Sequence, residues 1–252
     1  MNLFAVTMDV DWAPDFAIEY AAEILAENGI KASWFITHST PQLELLRKHN
    51  HLFELGIHPN FLKSSSHGSD EDSVLKQMTA IVPEARAVRT HALVQSTPLL
   101  YKIAADFGIH LDVSLFLPDT PCLQPHTLHL HNEHLVRLPY FWEDDVETYN
   151  PSQSWNIASE RYQVPGLKIF NFHPLLVYLN CRTMDGYEKL KKQKHLPDLT
   201  ADDCAPVIER DAGTNTLLQG LIRQIKEHQG ESFTVSELAA LWKKKGETTL
   251  KL

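Results

Sequence analysis

The chain has 252 residues, of which 43% are hydrophobic and 22% charged, a globular composition that excludes a disordered or collagen-like protein. Its formal net charge of −9 excludes a general nucleic-acid binder, which needs a basic face to displace counterions. No stretch approaches the roughly 18 consecutive apolar residues of a membrane span.

The opening residues, MNLFAVTMDVDW, reach Asp9 and Asp11 with no basic residue before them. This does not match a secretory signal, so a mature, cytoplasmic start is expected. Leu3 to Met8 is an apolar run of strand formers and predicts a buried first strand. Pro14 and Asp15 open a helix whose apolar residues recur at helical spacing, and Asn28-Gly29 stops it. Ile30 to Thr37 predicts a second strand, a short helix follows Pro41, and His51 to His58 predicts a third strand.

The alternation continues along the chain. Helices are predicted over Asp70 to Ile81 and Thr97 to Phe107, with strands at Ala87 to Arg89 and Ile109 to Leu115. The partly alternating histidines His126, His129, His131 and His134 suit a solvated hairpin. Leu135 to Phe141 and Leu167 to Phe172 predict two more strands, and two helices close the chain at Asn215 to His228 and Val235 to Lys245. Residues 180–211 are charged and irregular, with Lys189, Lys191, Lys192 and Lys194 as a solvated run, and read as a loop or lid insertion.

Strand–helix alternation without a Gly/Ser-rich linker predicts parallel strands joined by crossover helices in a single domain, residues 1–252. The expected fold is α/β, a barrel or barrel-like sheet. The three cysteines are odd in number, widely spaced and without a CxxC, so neither a disulfide framework nor a thiolate zinc site is expected.

In parallel α/β folds, ligands bind beyond the carboxyl ends of the strands. The residues delivered there are Asp9 and Asp11, His58, Arg89 with His91, Asp112, and His173. Asp9 and Asp11 are two apart on an extended segment, so their carboxylates are neighbours. Like charges so placed call for a cation or a proton, and a metal ligand beside a general base is one division of labour. One carboxylate and two imidazoles leave open positions on a zinc ion, as hydrolysis requires. His67, in the loop after His58, is a second imidazole within reach. Tyr140, Trp142 and Asp145, just after a strand, are candidates for a sugar-binding wall, with the aromatic residues as core the competing reading. Ser64 to Ser66 lack a GxSxG elbow, which argues against a serine hydrolase.

MDVDW, GIKASWFIT, ELGIHPNF, RTHALVQS, LDVSLF, LPYFWEDD and NFHP, in that order, resemble the polysaccharide deacetylase family (carbohydrate esterase family four). The resemblance spans residues 3 to about 177 and is nearest the compact subgroup associated with bacterial surface-polysaccharide (O-antigen) gene clusters. It implies a distorted (β/α) barrel of about seven strands, and a divalent metal, zinc first, with cobalt, nickel or manganese as alternatives. It implies removal of an N-acyl group, N-acetyl first, from a sugar or polysaccharide precursor.

By the resemblance, Asp9 takes the general-base position and Asp11, displaced by one residue from the usual adjacent acid, the metal position. His58 matches the first histidine of the metal motif. The position of the second is Leu62, so His67 is the substitute ligand, with His91 or a water as alternatives. Arg89 matches the arginine that orients the base, Asp112 the acid that holds the catalytic histidine, and His173 the histidine that protonates the leaving amine. His91 otherwise joins the substrate side. The competing functions are a catalytically inactive carbohydrate-binding relative and a deformylase of an N-formyl sugar. The sequence leaves the oligomeric state open.

Overall fold

The computed structural model describes residues 3–227 and 231–249. Nine strands form one sheet: β1 (Leu3–Asp9), β2 (Ala32–Ile36), β3 (Phe53–Ile57), β4 (Ala87–Val88), β5 (Leu111–Phe116), β6 (His126–Leu130), β7 (Glu133–Tyr140), β8 (Trp142–Glu143) and β9 (Leu167–Phe172). Their order is β6-β7-β5-β4-β3-β2-β1-β9-β8. All pairings are parallel except β6 with β7, the hairpin expected of the histidine-rich segment.

The sheet has two ends by hydrogen-bonded order, yet it curls back on itself. Only Phe141 separates β7 from β8, and this one extended segment pairs with β5 on one side and β9 on the other. Phe141 itself donates its N–H to the Ile169 carbonyl at 2.9 Å. With β7 and β8 sharing a stave and β6 outside, seven staves surround the interior, a distorted (β/α) barrel. Helices cover the outer face, so β2 and β9 are buried along their whole length, as parallel strands between layers must be.

Helices α1 (Asp15–Glu27), α2 (Gln42–Lys48), α3 (Glu71–Ile81) and α4 (Thr97–Phe107) provide the crossovers between the first five strands. Local chemistry sets their ends. Asp70 and Ser73 form a reciprocal capping box on α3. Ser96 caps α4, and Gly108, at φ 66°, closes it in the left-handed conformation. Three short helices lie where none was predicted: α5 (Asp144–Thr148), α6 (Glu160–Gln163) and α7 (Pro174–Leu179). Each is too short for periodicity to show.

Residues 180–211, expected to be irregular, fold into α8 (Asp185–Gln193) and α9 (Ala201–Cys204), with one three-residue turn between them and another directly after α9. Leu190, Leu196, Leu199 and Cys204 bury their side chains in the main core, and the surrounding charges had hidden that pattern. The lysines of this segment are exposed, as expected. Helices α10 (Thr214–Glu227) and α11 (Val235–Thr249) complete the chain; His228, expected to end the first of them, lies outside the described residues. All three cysteines are free. Among the described residues, no helix is long and apolar enough to cross a membrane.

The barrel interior is not wholly apolar. Arg89, just after β4, is fully buried, with its guanidinium carbon 4.6 Å from the Phe35 ring centroid and 4.4 Å from that of Tyr140. Gly56 on β3 makes room for this stack. A Cβ there would lie 2.8 Å from the Ala87 carbonyl oxygen and 2.9 Å from the Phe35 ring. Gly56→Ala is therefore expected to cost about 1–3 kcal/mol through overpacking, measured as a lowered urea midpoint with an unchanged slope.

Candidate active site

The site is built at the carboxyl ends of the strands. Alternation along β1 and β9 sends Thr7, Asp9 and Asn171 to the same interior cluster. Arg89 Nη1 donates to Asp9 Oδ1 and to Thr7 Oγ1, each at 2.9 Å, and to Asn171 Oδ1. Its Nε donates to the Val113 carbonyl at 3.1 Å. Asn171 is saturated: its oxygen also accepts from Thr7, and its amide donates to Asp9 Oδ2 and Glu143 Oε1, both at 2.9 Å. Asp9 is thus held through both oxygens.

Beyond β1 the chain turns through two left-handed residues, Asp11 at φ 43° and Trp12 at φ 54°. The turn places Asp11 over the barrel mouth. His58, just after β3, hydrogen-bonds through Nδ1 to the Arg89 carbonyl at 2.7 Å. A carbonyl only accepts, so Nδ1 carries a proton, and Nε2 is the nitrogen that faces inward towards Asp11. His91 is fastened in return, its N–H donating to the Pro59 carbonyl at 3.0 Å. These reciprocal bonds between the loops after β3 and β4 bring together two histidines 33 residues apart in the chain.

Asp11 Oδ1 lies 3.1 Å from His58 Nε2 and 3.2 Å from His91 Nδ1, and the two imidazole nitrogens are 3.3 Å apart. Donors about 2.0–2.1 Å from a tetrahedral zinc lie roughly 3.3 Å from one another. The three edges therefore fit one face of a zinc coordination tetrahedron, and a carboxylate with two imidazoles is an ordinary zinc donor set. Burial pushes the Asp11 carboxyl up, but its bonds to His58 and His91 outweigh that and hold it well below the usual range.

His67 is buried but lies outside that group. The expected ligand set of Asp11, His58 and His67 thus differs from the cluster found, in which His91 stands third. Asn60 donates its backbone N–H to His67 Nδ1 at 3.0 Å, and the His67 ring packs on Trp12 with centroids 5.2 Å apart. Burial lowers its pKa to about 4. Trp12 meets the His91 ring edge-on at the same 5.2 Å, so His67 backs the wall that His91 leans on.

His173 follows β9 and keeps the parity of Asn171. Its partner is not Asp112, as expected, but Asp144 at the start of α5. His173 Nδ1 bonds Asp144 Oδ1 at 2.6 Å, and its backbone N–H donates to Asp144 Oδ2 at 2.9 Å. Asp112 is occupied elsewhere, accepting from Arg137 Nε at 2.6 Å and from the Ser114 N–H. Burial alone would pull the His173 pKa down, but Asp144, Asp145 and Asp11 outweigh it and hold it well above the ordinary value. The free His173 Nε2 is 3.6 Å from Asp11 Oδ2.

A cavity of about 280 Å³ opens over these groups, with Phe116, Glu143 and Asp145 also in its wall. Trp142 and Tyr140, expected to meet substrate, are buried instead. Trp142 packs against Phe172, Phe170 and Trp155, while Tyr140 lies under Arg89 and donates its hydroxyl to Glu143 Oε2 at 2.9 Å. A larger cavity, about 740 Å³, lies next door between the 61–71 loop and the start of α4, but it contains none of the clustered ionisable groups. Sequence reasoning missed Asn171 and the pairing of Asp144. Their one sequence signal was position, two residues before His173 on its strand and directly after the short β8.

The family model WbmS-like: Polysaccharide deacetylase matches residues 6–191. A crystal structure from Bordetella bronchiseptica, provisionally described as a polysaccharide deacetylase involved in O-antigen biosynthesis, is 32% identical over 88% of this chain and 90% of that one, with a TM-score of 0.78. The Xyl-CE4 domain of a multidomain xylanase from the hindgut metagenome of Trinervitermes trinervoides is 14% identical over 97% of this chain and 91% of that one, with a TM-score of 0.49. No curated protein matches the sequence.

Because His173 is held above its ordinary pKa, its pairing stabilises the fold below about pH 6.5, and the stabilisation is lost as pH rises through the folded-state value. Asp144→Asn removes the main charge that raises it. In the metal-free protein, an NMR titration of His173 is expected to shift to lower pH in this variant, and an unmoved titration would assign the raised value to another partner.

Proposed function

The chain belongs to the WbmS-like polysaccharide deacetylase family, and on that premise we propose that it is a metal-dependent deacetylase of an N-acyl sugar or polysaccharide precursor, with N-acetyl the acyl group. The observation that carries the reading is the triangle of Asp11, His58 and His91 donor atoms, 3.1–3.3 Å on each edge, with Asp9 and His173 both beside it. Asp9 Oδ2 is 3.8 Å from His58 Nε2.

Asp11, His58 and His91 would hold the ion, zinc before cobalt, nickel or manganese. A divalent ion there supplies Lewis acidity to the acyl oxygen and to the attacking water. Asp9 takes the proton from that water. Arg89 and Asn171 fix both of its oxygens, so its orientation is set before substrate arrives. His173, charged and backed by Asp144, gives its Nε2 proton to the departing nitrogen. Addition of water across the C–N bond leaves a carboxylate and a free amine on the sugar. A carbohydrate-binding relative without turnover has no use for a buried imidazole–carboxylate pair facing a second carboxylate.

Asp9→Asn is expected to lower kcat/KM on an N-acetyl sugar by about 10²–10⁴-fold while zinc content, read by elemental analysis, stays at the wild-type level. The ligand set has its own readout. His58→Ala and His91→Ala should each weaken zinc binding more than about 100-fold, since even outer partners of a ligand are worth 10–100-fold, whereas His67→Ala should retain the metal. Zinc loss in His67→Ala with retention in His91→Ala would reverse the assignment.

A further inference from the structure

Glu143 is a half-buried acid for which the deacylation steps above have no use. It ends β8 and lines the 280 Å³ cavity. Its oxygens are both engaged from behind: Asn171 Nδ2 donates to Oε1 and the Tyr140 hydroxyl to Oε2, each at 2.9 Å. One Asn171 amide therefore ties Glu143 and Asp9 together, one hydrogen to each carboxyl. Oxygens of these two carboxyls and a nitrogen of His173 lie within 4.8 Å of one another.

The cation of this cluster is not shared equally. Arg89 is hydrogen-bonded to Asp9, Thr7 and Asn171, and among the described residues no cation is paired with Glu143. Two carboxyls this close cannot both ionise without a counter-charge on each. Arg89 is committed to Asp9 and the His173 imidazole to Asp144, so the proton falls to Glu143. With both oxygens already accepting from the protein, the carboxyl has one hydrogen left to give, on its cavity side.

We propose that Glu143 is a positioning and specificity residue whose O–H donates to a substrate oxygen beside the scissile amide, seating the acylamino group between Asp9 and His173. The assignment rests on the deacylase reading. It selects substrates that present an acceptor at that point, such as a sugar hydroxyl or ring oxygen, because a substrate without one leaves a buried donor unpaired. The groups facing Glu143 agree with a neutral acid. Burial, and then the charges of Asp145 and Asp9, outweigh His173 and Arg89 and push its pKa up to about 8, and Tyr140, itself pushed up by burial, remains a neutral donor.

The test uses the zinc-loaded full chain on an N-acetylhexosamine oligomer. Glu143→Ala should raise KM about 10- to 100-fold, the worth of a buried hydrogen bond, with kcat changed far less. Glu143→Gln, which puts an N–H where the O–H was, should recover most of that loss. A second measurement needs no substrate. A neutral folded-state Glu143 contributes stability that is present below about pH 4.5 and lost towards about pH 8. Wild type should therefore lose stability relative to Glu143→Gln across that window.

An unchanged KM in Glu143→Ala, or a Gln variant as impaired as Ala, overturns the recognition role. A wild type and Gln variant whose stabilities run parallel from pH 4.5 to 8 overturn the neutral donor. Wild-type protein that hydrolyses no N-acyl sugar brings down the deacylase reading itself, and this assignment with it.

Discussion

A guanidinium with no access to water must be matched group by group inside the protein, because burying an unpaired charge costs several kcal/mol. Arg89 meets that condition through Nε and Nη1 at the centre of the barrel, while its Nη2 is buried without a hydrogen-bond partner. Phe35 and Tyr140 cover its two faces, Asp9 supplies the opposite charge, and Thr7, Asn171 and the Val113 carbonyl take further N–H groups. Its partners come from β1, β5 and β9 and its stacking rings from β2 and β7. The same contacts that make the buried charge tolerable aim Asp9 at the barrel mouth. Asp9, the base of the proposed mechanism, is thus oriented by the interior of the fold.

The loops above this floor are themselves tied to one another. The Arg89 carbonyl accepts from the His58 imidazole, and the Pro59 carbonyl accepts from the His91 backbone. Each histidine is therefore oriented by the loop that carries the other. Asp11 reaches them through consecutive left-handed residues, a backbone that a non-glycine chain adopts at some cost and that concentrates at functional sites. Trp12, carried round by the same turn, packs against both rings, tilted on His67 and edge-on to His91. Of the two histidines, His91 supplies a corner of the donor triangle and His67 packs on Trp12 outside it.

The carboxyl groups divide in a comparable way according to their partners. Asp9 faces a guanidinium, Asp11 two imidazoles, and Asp144 the imidazole of His173, while the hydrogen bonds to Glu143 come from neutral donors, Asn171 and Tyr140. These four acids are tolerated so close together because each is neutralised differently. The aromatic side chains nearby serve this arrangement from the core. Tyr140 is both a lid on Arg89 and a donor to Glu143, and Trp142 holds α5 by donating to Glu147 at 3.2 Å.

Much of the architecture was legible in the sequence, because parallel strands buried on both faces are short apolar runs and the helices between them carry a 3.6-residue period. The run Leu3 to Met8, the helix Thr97 to Phe107 and the strand Leu167 to Phe172 stand where the residues themselves put them. The alternation rule also delivered Asp9, Asp11, His58, Arg89, His91 and His173 to one end of the sheet, since side chains at strand ends in such folds converge there. What only the tertiary structure decided is which of them touch. His91 stands with Asp11 and His58 because hydrogen bonds cross between two loops, and loop backbones have no period from which to read a distance. Asp144 rather than Asp112 reaches His173 because β8 and β9 are neighbours, and Asn171 links two acids because an amide has exactly two hydrogens to give. Strand and helix follow from local patterns of apolar and polar residues, whereas a site depends on contacts between distant segments, and those exist only once the chain has folded.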